Sequence, residues 1–413
     1  MHNLSRSTLV VEKLCKLMPF KTVEIDPNVF WVGIEDWNRR VFDAFIPLPY
    51  GTSYNSYLVI GKNKTALIDT ANPGFEETLL KKISQIIPPK KIDYIIMNHA
   101  EPDHAGSISA VMKAAPNSKV VATKLGADMA GIYFDVFSEK RMVVKEGDTL
   151  ELGGKTLRFI EAPWLHWPET MFTFDEEDKI LFPCDFFGAH MTSDKLYADE
   201  VGGLLLPEAK RYYAEIMMPF AASGQKALDK VKPLNPKMIA PSHGPVYRNP
   251  QPIIEAYEKW TRGPLERKVV VVYVSMWGST QALERVITET ISTEGVEAVS
   301  YNLTVADISH VLRDLVDASA VVIGTPTALG GPHPLALYAT ELVASFGVRG
   351  KVAAVFGSFG WGGGAARRIK ARLEQGGFQV IDALEIRGPP KPEHVEKAVA
   401  LAKAVARKVK ETT

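Results

Sequence analysis

Ile92-Asp93-Tyr94-Ile95-Ile96-Met97 runs directly into Asn98-His99-Ala100-Glu101-Pro102-Asp103-His104, and this stretch decides how the rest of the chain is read. The first six residues are an apolar run that predicts a short buried strand. The next seven place four side chains able to bind metal on the loop leaving its C-terminal end. A loop anchored by a buried strand can hold a metal site that is fixed and still open to a small substrate. The order His-x-Glu-x-Asp-His mixes imidazole and carboxylate without thiolate. That mixture suits iron, manganese or zinc, and not a soft copper or iron–sulfur site.

Working outward, the pattern recurs. His166 lies in Pro163-Trp164-Leu165-His166-Trp167-Pro168. Asp185 closes Lys179-Ile180-Leu181-Phe182-Pro183-Cys184-Asp185, and His243 closes Met238-Ile239-Ala240-Pro241-Ser242-His243-Gly244. A lone Asp or His after a strand is usually structural; several strand ends each releasing a ligand candidate form a constellation. The segment up to about Arg262 is otherwise rich in short apolar runs, such as Tyr57–Gly61, Thr65–Asp69 and Leu157–Ile160, with helical patterns at Phe75–Ile87 and Glu208–Met217. This is strand-heavy α/β, as expected of stacked sheets with outer helices.

Residues 261–267, Thr-Arg-Gly-Pro-Leu-Glu-Arg, mark a change of rhythm. A helix-like stretch at Ile253–Trp260 stops, Gly263-Pro264 breaks the chain, and a strand opens at Lys268–Val274. Beyond it strands (Val321–Gly324, Lys351–Gly357, Phe378–Ile386) alternate with helices (Gln281–Thr293, Ala365–Gln375, Glu393–Lys410), the signature of a doubly wound parallel sheet. In the last helix Val395, Val399, Ala402, Ala406 and Val409 predict one buried stripe. Two domains are expected, 1–262 and 266–413.

Composition excludes several classes. The chain has 413 residues, 46% of them hydrophobic, enough for two ordinary cores. Lys plus Arg and Asp plus Glu each number 48, so the formal charge is 0 and no basic excess points to nucleic acid or an anionic membrane. No apolar run approaches the ~20 residues of a membrane span, and Leu9-Val10-Val11 is too interrupted by charge for a secretory segment. Cys15 and Cys184 belong to no CxxC, which excludes a built-in rubredoxin module and fits a reducing cytoplasm.

Taken with Gly51-Thr52-Ser53-Tyr54-Asn55-Ser56-Tyr57-Leu58, Leu165-His166-Trp167-Pro168 and Pro241-Ser242-His243-Gly244, the constellation resembles the metallo-β-lactamase fold, an αββα sandwich. Its His-x-Glu-x-Asp-His variant followed by a flavodoxin-like half resembles the flavodiiron proteins of the minimal two-domain class. The resemblance runs from about Val23 to the C-terminus. It implies that His99, Glu101 and His166 hold one iron, that Asp103, His104 and His243 hold the other, and that Asp185 bridges them. In some members the histidine corresponding to His104 is displaced by water. Glu101 stands where zinc hydrolases of this fold usually have His, and an anionic oxygen ligand favours a harder, redox-active metal. His190 is a candidate for contact with a ligand, and Tyr212 or Tyr213 for a hydroxyl near the site. His2, His310, His333 and His394 are expected to be surface or structural. Asp43 occupies a place where several members have histidine.

In the second half the first strand runs into Ser275-Met276-Trp277-Gly278-Ser279-Thr280 and then a helix. Hydroxyls and free backbone N–H groups at a helix N-terminus form an anion site. The loop lacks GxGxxG and GK[ST] and resembles a flavodoxin phosphate loop, which makes Ser275, Ser279 and Thr280 candidates for the phosphate of FMN. Two later strand ends, Gly324-Thr325-Pro326-Thr327 and Gly357-Ser358-Phe359-Gly360-Trp361-Gly362-Gly363-Gly364, look like the loops that flank the flavin ring.

The resemblance implies a reductase of dioxygen to water, of nitric oxide to nitrous oxide, or of both. It implies electrons from rubredoxin or reduced deazaflavin coenzyme, and a head-to-tail homodimer or dimer of dimers that sets each FMN beside the partner's metals. Two other readings remain open from the residues: a zinc hydrolase with an appended flavin module, and an electron-transfer protein whose metal site is vestigial.

Overall fold

The computed structural model describes residues 21–413 apart from Pro264 and residues 347–349; Cys15 and His2 lie outside the described residues. Within the apolar run Ile92–Met97, Tyr94–Ile96 forms the fifth strand of a seven-stranded sheet. From one edge to the other the order is Val23–Asp26, Val29–Trp31, Tyr57–Ile60, Thr65–Ile68, Tyr94–Ile96, Lys119–Ala122 and Arg141–Val143. Pairing is antiparallel up to Thr65–Ile68 and parallel beyond. Successive side chains of a strand point to opposite faces. Ile95 accordingly packs with Leu67, Val120 and the outer helices, whereas its neighbour Ile96 packs with Ile68, Val121 and the second sheet. Both faces are covered, so the strand is apolar throughout rather than alternating.

The second sheet has five strands in the order Thr149–Glu151, Thr156–Glu161, Met171–Asp175, Ile180–Phe182 and Met238–Ile239. Leu157, Phe159, Met171, Ile180 and Phe182 meet the first sheet across an apolar layer. Helices Glu76–Ser84, Ile108–Ala114 and Lys124–Phe134 cover the first sheet from outside, helices Ala221–Val231 and Gln251–Arg262 cover the second, and the four layers make the expected αββα sandwich.

Helix Gln251–Arg262 ends on Gly263, whose φ of 65° is left-handed, and strand Glu266–Tyr273 opens a separate sheet. Its parallel strands lie in the order Glu297–Asn302, Glu266–Tyr273, Ala318–Ala328, Val352–Phe359, Gln379–Arg387. In chain order that is 2-1-3-4-5, the flavodoxin arrangement, and the crevice at its strand ends is where such sheets bind ligands. Helices Ser279–Thr293 and Pro392–Thr412 lie on one face. Helices Ile308–Leu315, Pro334–Ser345 and Ala365–Gln375 lie on the other.

The stripe expected on the last helix holds at Ala402, Ala406 and Val409 and fails at its start: Val395 is exposed and Val399 only half-buried, while Ala398, Leu401 and Val405 are buried as well. The first turns of this helix, around Pro392, contribute no buried residue, so burial is decided by the Leu- and Ala-bearing face further along. The two halves share one continuous core in which helix Ile308–Leu315 meets helix Leu205–Tyr212 and the π-helical turn Tyr213–Met217. Lys210 pairs with Asp317 across this junction, and Tyr338 Oη donates to the carbonyl of Phe45 at 3.1 Å.

Candidate metal centre

The ligand loop is fixed at its root by Asn98, whose backbone N–H donates to Asp69 Oδ1 at 2.8 Å and whose Oδ1 accepts from Thr173 at 2.7 Å. Pro102–Ala105 then makes a single helical turn, which carries Asp103 and His104 inward and leaves Glu101 at its start. The loop bearing His243 is braced from the Gly51–Leu58 segment. Asn55 Nδ2 donates to the carbonyls of Pro241 (2.8 Å) and Gly244 (2.7 Å), and Ser53 Oγ accepts from the Gly244 N–H at 2.7 Å. Cys184 and Phe187 have left-handed φ of 51° and 71°, so the chain turns sharply on both sides of Asp185.

All seven candidate ligands converge, in two groups that meet at Asp185. In the first, His166 Nε2 lies 3.0 Å from Glu101 Oε2 and 3.2 Å from His99 Nε2. Asp185 Oδ2 lies 3.2 Å from His166 Nε2 and 3.6 Å from His99 Nε2. In the second, His104 and His243 Nε2 stand 3.3 and 3.2 Å from the two oxygens of Asp103. Asp185 Oδ1 faces this group, 3.1 Å from His104 and 3.4 Å from His243. One carboxylate therefore turns one oxygen to each cluster.

The donor set fits metal. Both oxygens of Asp103 and both ring nitrogens of His104 are buried yet make no well-formed hydrogen bond, despite their close approach to neighbours. Buried polar atoms left in that condition require an ion or water. Protonation tells the same story. Burial works against a charge on His99 and His166, but Glu101 with Glu169 and Asp185 with Glu101, respectively, lift each to about 10. Burial likewise opposes a charged His104, yet Asp103 and Asp185 raise it to about 9. Asp185, chiefly through His104, and Glu101, chiefly through His166, are held far below the ordinary carboxylate range despite burial. Protons occupy the places that cations would take, and metal binding would release them.

Several contacts of the ligands were not legible in the sequence. His99 Nδ1 donates to Glu169 Oε1 at 2.6 Å, and the same oxygen accepts from the Ala100 N–H at 2.9 Å. His243 Nδ1 lies 2.5 Å from the carbonyl of Ser53. Each bond leaves Nε2 facing the cluster as the metal-binding nitrogen. The only signal for Glu169 was its place three residues after His166. Tyr212 Oη donates to Asp185 Oδ1 at 2.9 Å, while Tyr213 points elsewhere, among Tyr257 and Trp260. Thr52 Oγ1 joins His190 Nδ1 (3.0 Å) and His243 Nδ1 (3.3 Å). Burial first, then His243 and Arg211, keep His190 neutral. His333 and His394 hold backbone N–H groups at helix starts, and His310 is half-buried on a helix. Asp43, with φ 48°, sits at a hairpin tip exposed on one side; loss of hydration and then Glu101 raise its carboxyl to about 6.

At the strand ends of the second half a cleft is lined by Ser275, Met276, Trp277, Ser279, Thr280, Pro326, Thr327, Ser358, Phe359, Gly360 and Trp361, together with Gly388, which carries no signal in the sequence. Gly278 sits just behind, at the start of helix Ser279–Thr293 with φ 88°. Thr325 is buried and accepts from the His333 N–H at 3.0 Å; neither it nor Gly362 lines the cleft. Thr280 and Ser358 join their hydroxyls at 2.9 Å across the cleft floor.

An αββα sandwich with a two-cluster carboxylate–histidine centre, fused to a flavodoxin-type sheet, defines a composite class of redox protein. A family model described as ODP family beta lactamase matches residues 52–244, and one described as flavodoxin matches residues 271–401. A nitric oxide reductase of Moorella thermoacetica is 36% identical, covering 94% of this chain and 98% of its own. A coenzyme F420H(2) oxidase of Methanothermobacter marburgensis is 34% identical over 94% of this chain and 98% of its own. Among solved structures, rubredoxin oxygen:oxidoreductase of Desulfovibrio gigas superposes with a TM-score of 0.92 at 30% identity, covering 95% and 99% of the two chains. The flavodiiron protein of Giardia intestinalis gives 0.91 at 31%, covering 96% and 98%. The chain belongs to the flavodiiron protein family.

Proposed function

We propose that this protein is an FMN- and di-iron-dependent reductase that takes dioxygen to water, nitric oxide to nitrous oxide, or both, and so protects against oxygen or nitrosative stress. The observation that carries the reading is Asp185, whose Oδ2 faces the His99, Glu101 and His166 cluster and whose Oδ1 faces Asp103, His104 and His243. Two ferrous ions and one reduced FMN hold four electrons, enough for dioxygen to two waters, and two suffice to join two nitric oxide molecules as nitrous oxide and water.

His99, Glu101 and His166 would hold one iron, Asp103, His104 and His243 would hold the other, and Asp185 would supply a carboxylate to both. Glu169 and the Ser53 carbonyl fix the orientation of His99 and His243. Tyr212 keeps its hydroxyl proton and donates it in a hydrogen bond to Asp185 Oδ1. At the other end, Ser275, Ser279 and Thr280 with the start of helix Ser279–Thr293 receive the phosphate, an arrangement that suits a dianion. Pro326 and Thr327 on one side, and Ser358 to Trp361 on the other, flank the ring.

The relatives' names support rubredoxin or reduced deazaflavin coenzyme as the electron donor. Trp277 and Trp361, which line the cleft, are 90% and 96% exposed. Covering these side chains with the metal-bearing face of a second copy supports a head-to-tail homodimer or a dimer of dimers. Among the described residues no helix is long and apolar enough to cross a membrane, in keeping with a cytoplasmic location. The change of sheet after Gly263 supports a division into a metal domain, 1–262, and a flavin domain, 266–413.

The first test is metal and flavin content after anaerobic purification, with two irons and one FMN per chain expected. Two zincs taken up in the presence of ample iron would overturn the redox reading in favour of hydrolysis. Asp185→Ala should abolish gas consumption at an electrode and leave FMN bound; an active variant would remove the bridging role. A variant forced to remain monomeric should keep both cofactors and lose turnover.

A further inference from the structure

The last strand of the flavin domain ends beside, and not inside, the cleft, yet it holds both of the cleft's walls. Gln379–Arg387 pairs in parallel with Val352–Phe359, with Gly357 opposite Glu385 and Phe359 opposite Arg387. From this position Glu385 reaches three groups. Its Oε2 accepts from the Gly364 N–H at 2.6 Å, and its Oε1 accepts from the Ala366 N–H at 3.4 Å and from Thr327 Oγ1 at 3.3 Å. Thr327 belongs to one wall of the cleft, whereas Gly364 ends the segment that forms the other.

Helix Ala365–Gln375 begins at Gly364, whose φ is 112° and which has no side chain to cap the free N–H groups. Glu385 supplies the missing acceptor from another element, and a carboxylate at a helix N-terminus is favoured by the helix dipole. Space is reserved for it: a Cβ on Gly363 would stand 2.9 Å from Glu385 Oε2. The next residues of the strand complete the fastening. Arg387 Nε donates to the Gly360 carbonyl at 2.9 Å, and the Gly388 N–H donates to the Phe359 carbonyl at 2.8 Å.

The geometry points to Glu385 as a positioning residue for the flavin: one carboxylate ties Thr327 to the Gly360–Gly364 segment, sets the separation of the two walls, and lies beside the cleft. The inference rests on reading this cleft as the FMN site. Reduced flavin carries more negative charge than oxidised flavin, so a nearby carboxylate binds the oxidised form preferentially and lowers the reduction potential. Glu385 is half-buried, so solvent screens its charge in part.

The test measures FMN dissociation constants and flavin midpoint potentials for the purified full-length protein and for Glu385→Gln, Glu385→Ala and Thr327→Val. Glu385→Gln keeps an acceptor for Gly364 and loses the charge. It should bind FMN within about threefold of the parent while its potential rises, by up to about 30 mV if the preference between redox states changes tenfold. Glu385→Ala should weaken FMN binding roughly tenfold, and Thr327→Val should weaken it with no change in potential. If Glu385→Gln leaves the potential unchanged, or if Glu385→Ala lowers only the melting temperature with FMN affinity intact, Glu385 is an ordinary helix cap and the inference is wrong. FMN content of the parent protein separates this failure from failure of the cleft itself, because a parent that binds no FMN removes the site before any variant is compared.

Discussion

Glu169→Ala should loosen one metal of the centre and spare the other. His99 has no exposed surface, and its Nδ1 is held by a single 2.6 Å bond to Glu169. Removing that acceptor frees the ring to rotate or change tautomer, and it strands the Ala100 N–H at the root of the ligand loop. Partners of this kind typically contribute 10- to 100-fold in metal affinity, roughly 1.4 to 2.7 kcal/mol. Glu169→Gln retains an acceptor for both groups and should lose no more than about tenfold. The assay is anaerobic competition with a chelator, followed as iron per chain against time. One release step should accelerate 10- to 100-fold in Glu169→Ala, and the step belonging to Asp103, His104 and His243 should hardly move. Two steps accelerated equally, or iron retained as in the parent, would refute the assignment of Glu169 to the first cluster.

Two further outcomes follow from buried features away from the ligands. Lys82 is buried with Nζ donating to the Gly33 carbonyl and lying 3.9 Å from the Trp31 ring, and burial lowers its pKa to about 7 from 10.5. The unfolded chain therefore binds more protons between pH 7 and 10.5, stability rises with pH across that window, and below pH 7 the loss is complete. Urea unfolding at pH 6.5 and 9 should show the parent gaining on the order of 3 kcal/mol relative to Lys82→Met, at about 1.36 kcal/mol per unit; parallel curves would show that Lys82 stays charged when folded. Gly357→Ala would drive a Cβ into the carbonyl of Thr325 in the neighbouring strand. It should cost about 1–3 kcal/mol and reduce FMN content in the purified protein, and an unchanged melting temperature would mean that the strands yield freely.

The sequence by itself determined a great deal here, because the decisive signals are local. A strand buried on both faces must be apolar at every position, so Ile95 and Ile96 announce it although they face different cores. Ligands on strand-end loops are legible for the same reason: each loop carries its own chemistry within a few residues. The alternation of strand and helix after Gly263 likewise follows from neighbouring residues alone.

Tertiary structure decided what depends on residues far apart in the chain. Glu169 meets His99 across 70 positions, and the Ser53 carbonyl meets His243 across 190. Nothing near either histidine in the sequence names these partners. Asp185 was legible as a candidate bridge, but only packing turned its two oxygens toward different clusters. Val395 looked like part of a buried stripe because periodicity records which side chains share a face of a helix. Whether anything packs against that face at a given turn is decided by the neighbouring elements, and among the described residues Val395 stays 36% exposed. Glu385 shows the same limit, since a carboxylate on an edge strand becomes a clamp only when two loops fold back to it. Local pattern is set by backbone periodicity and solvent preference, whereas a hydrogen bond between distant segments exists only once the fold has brought them within about 3 Å.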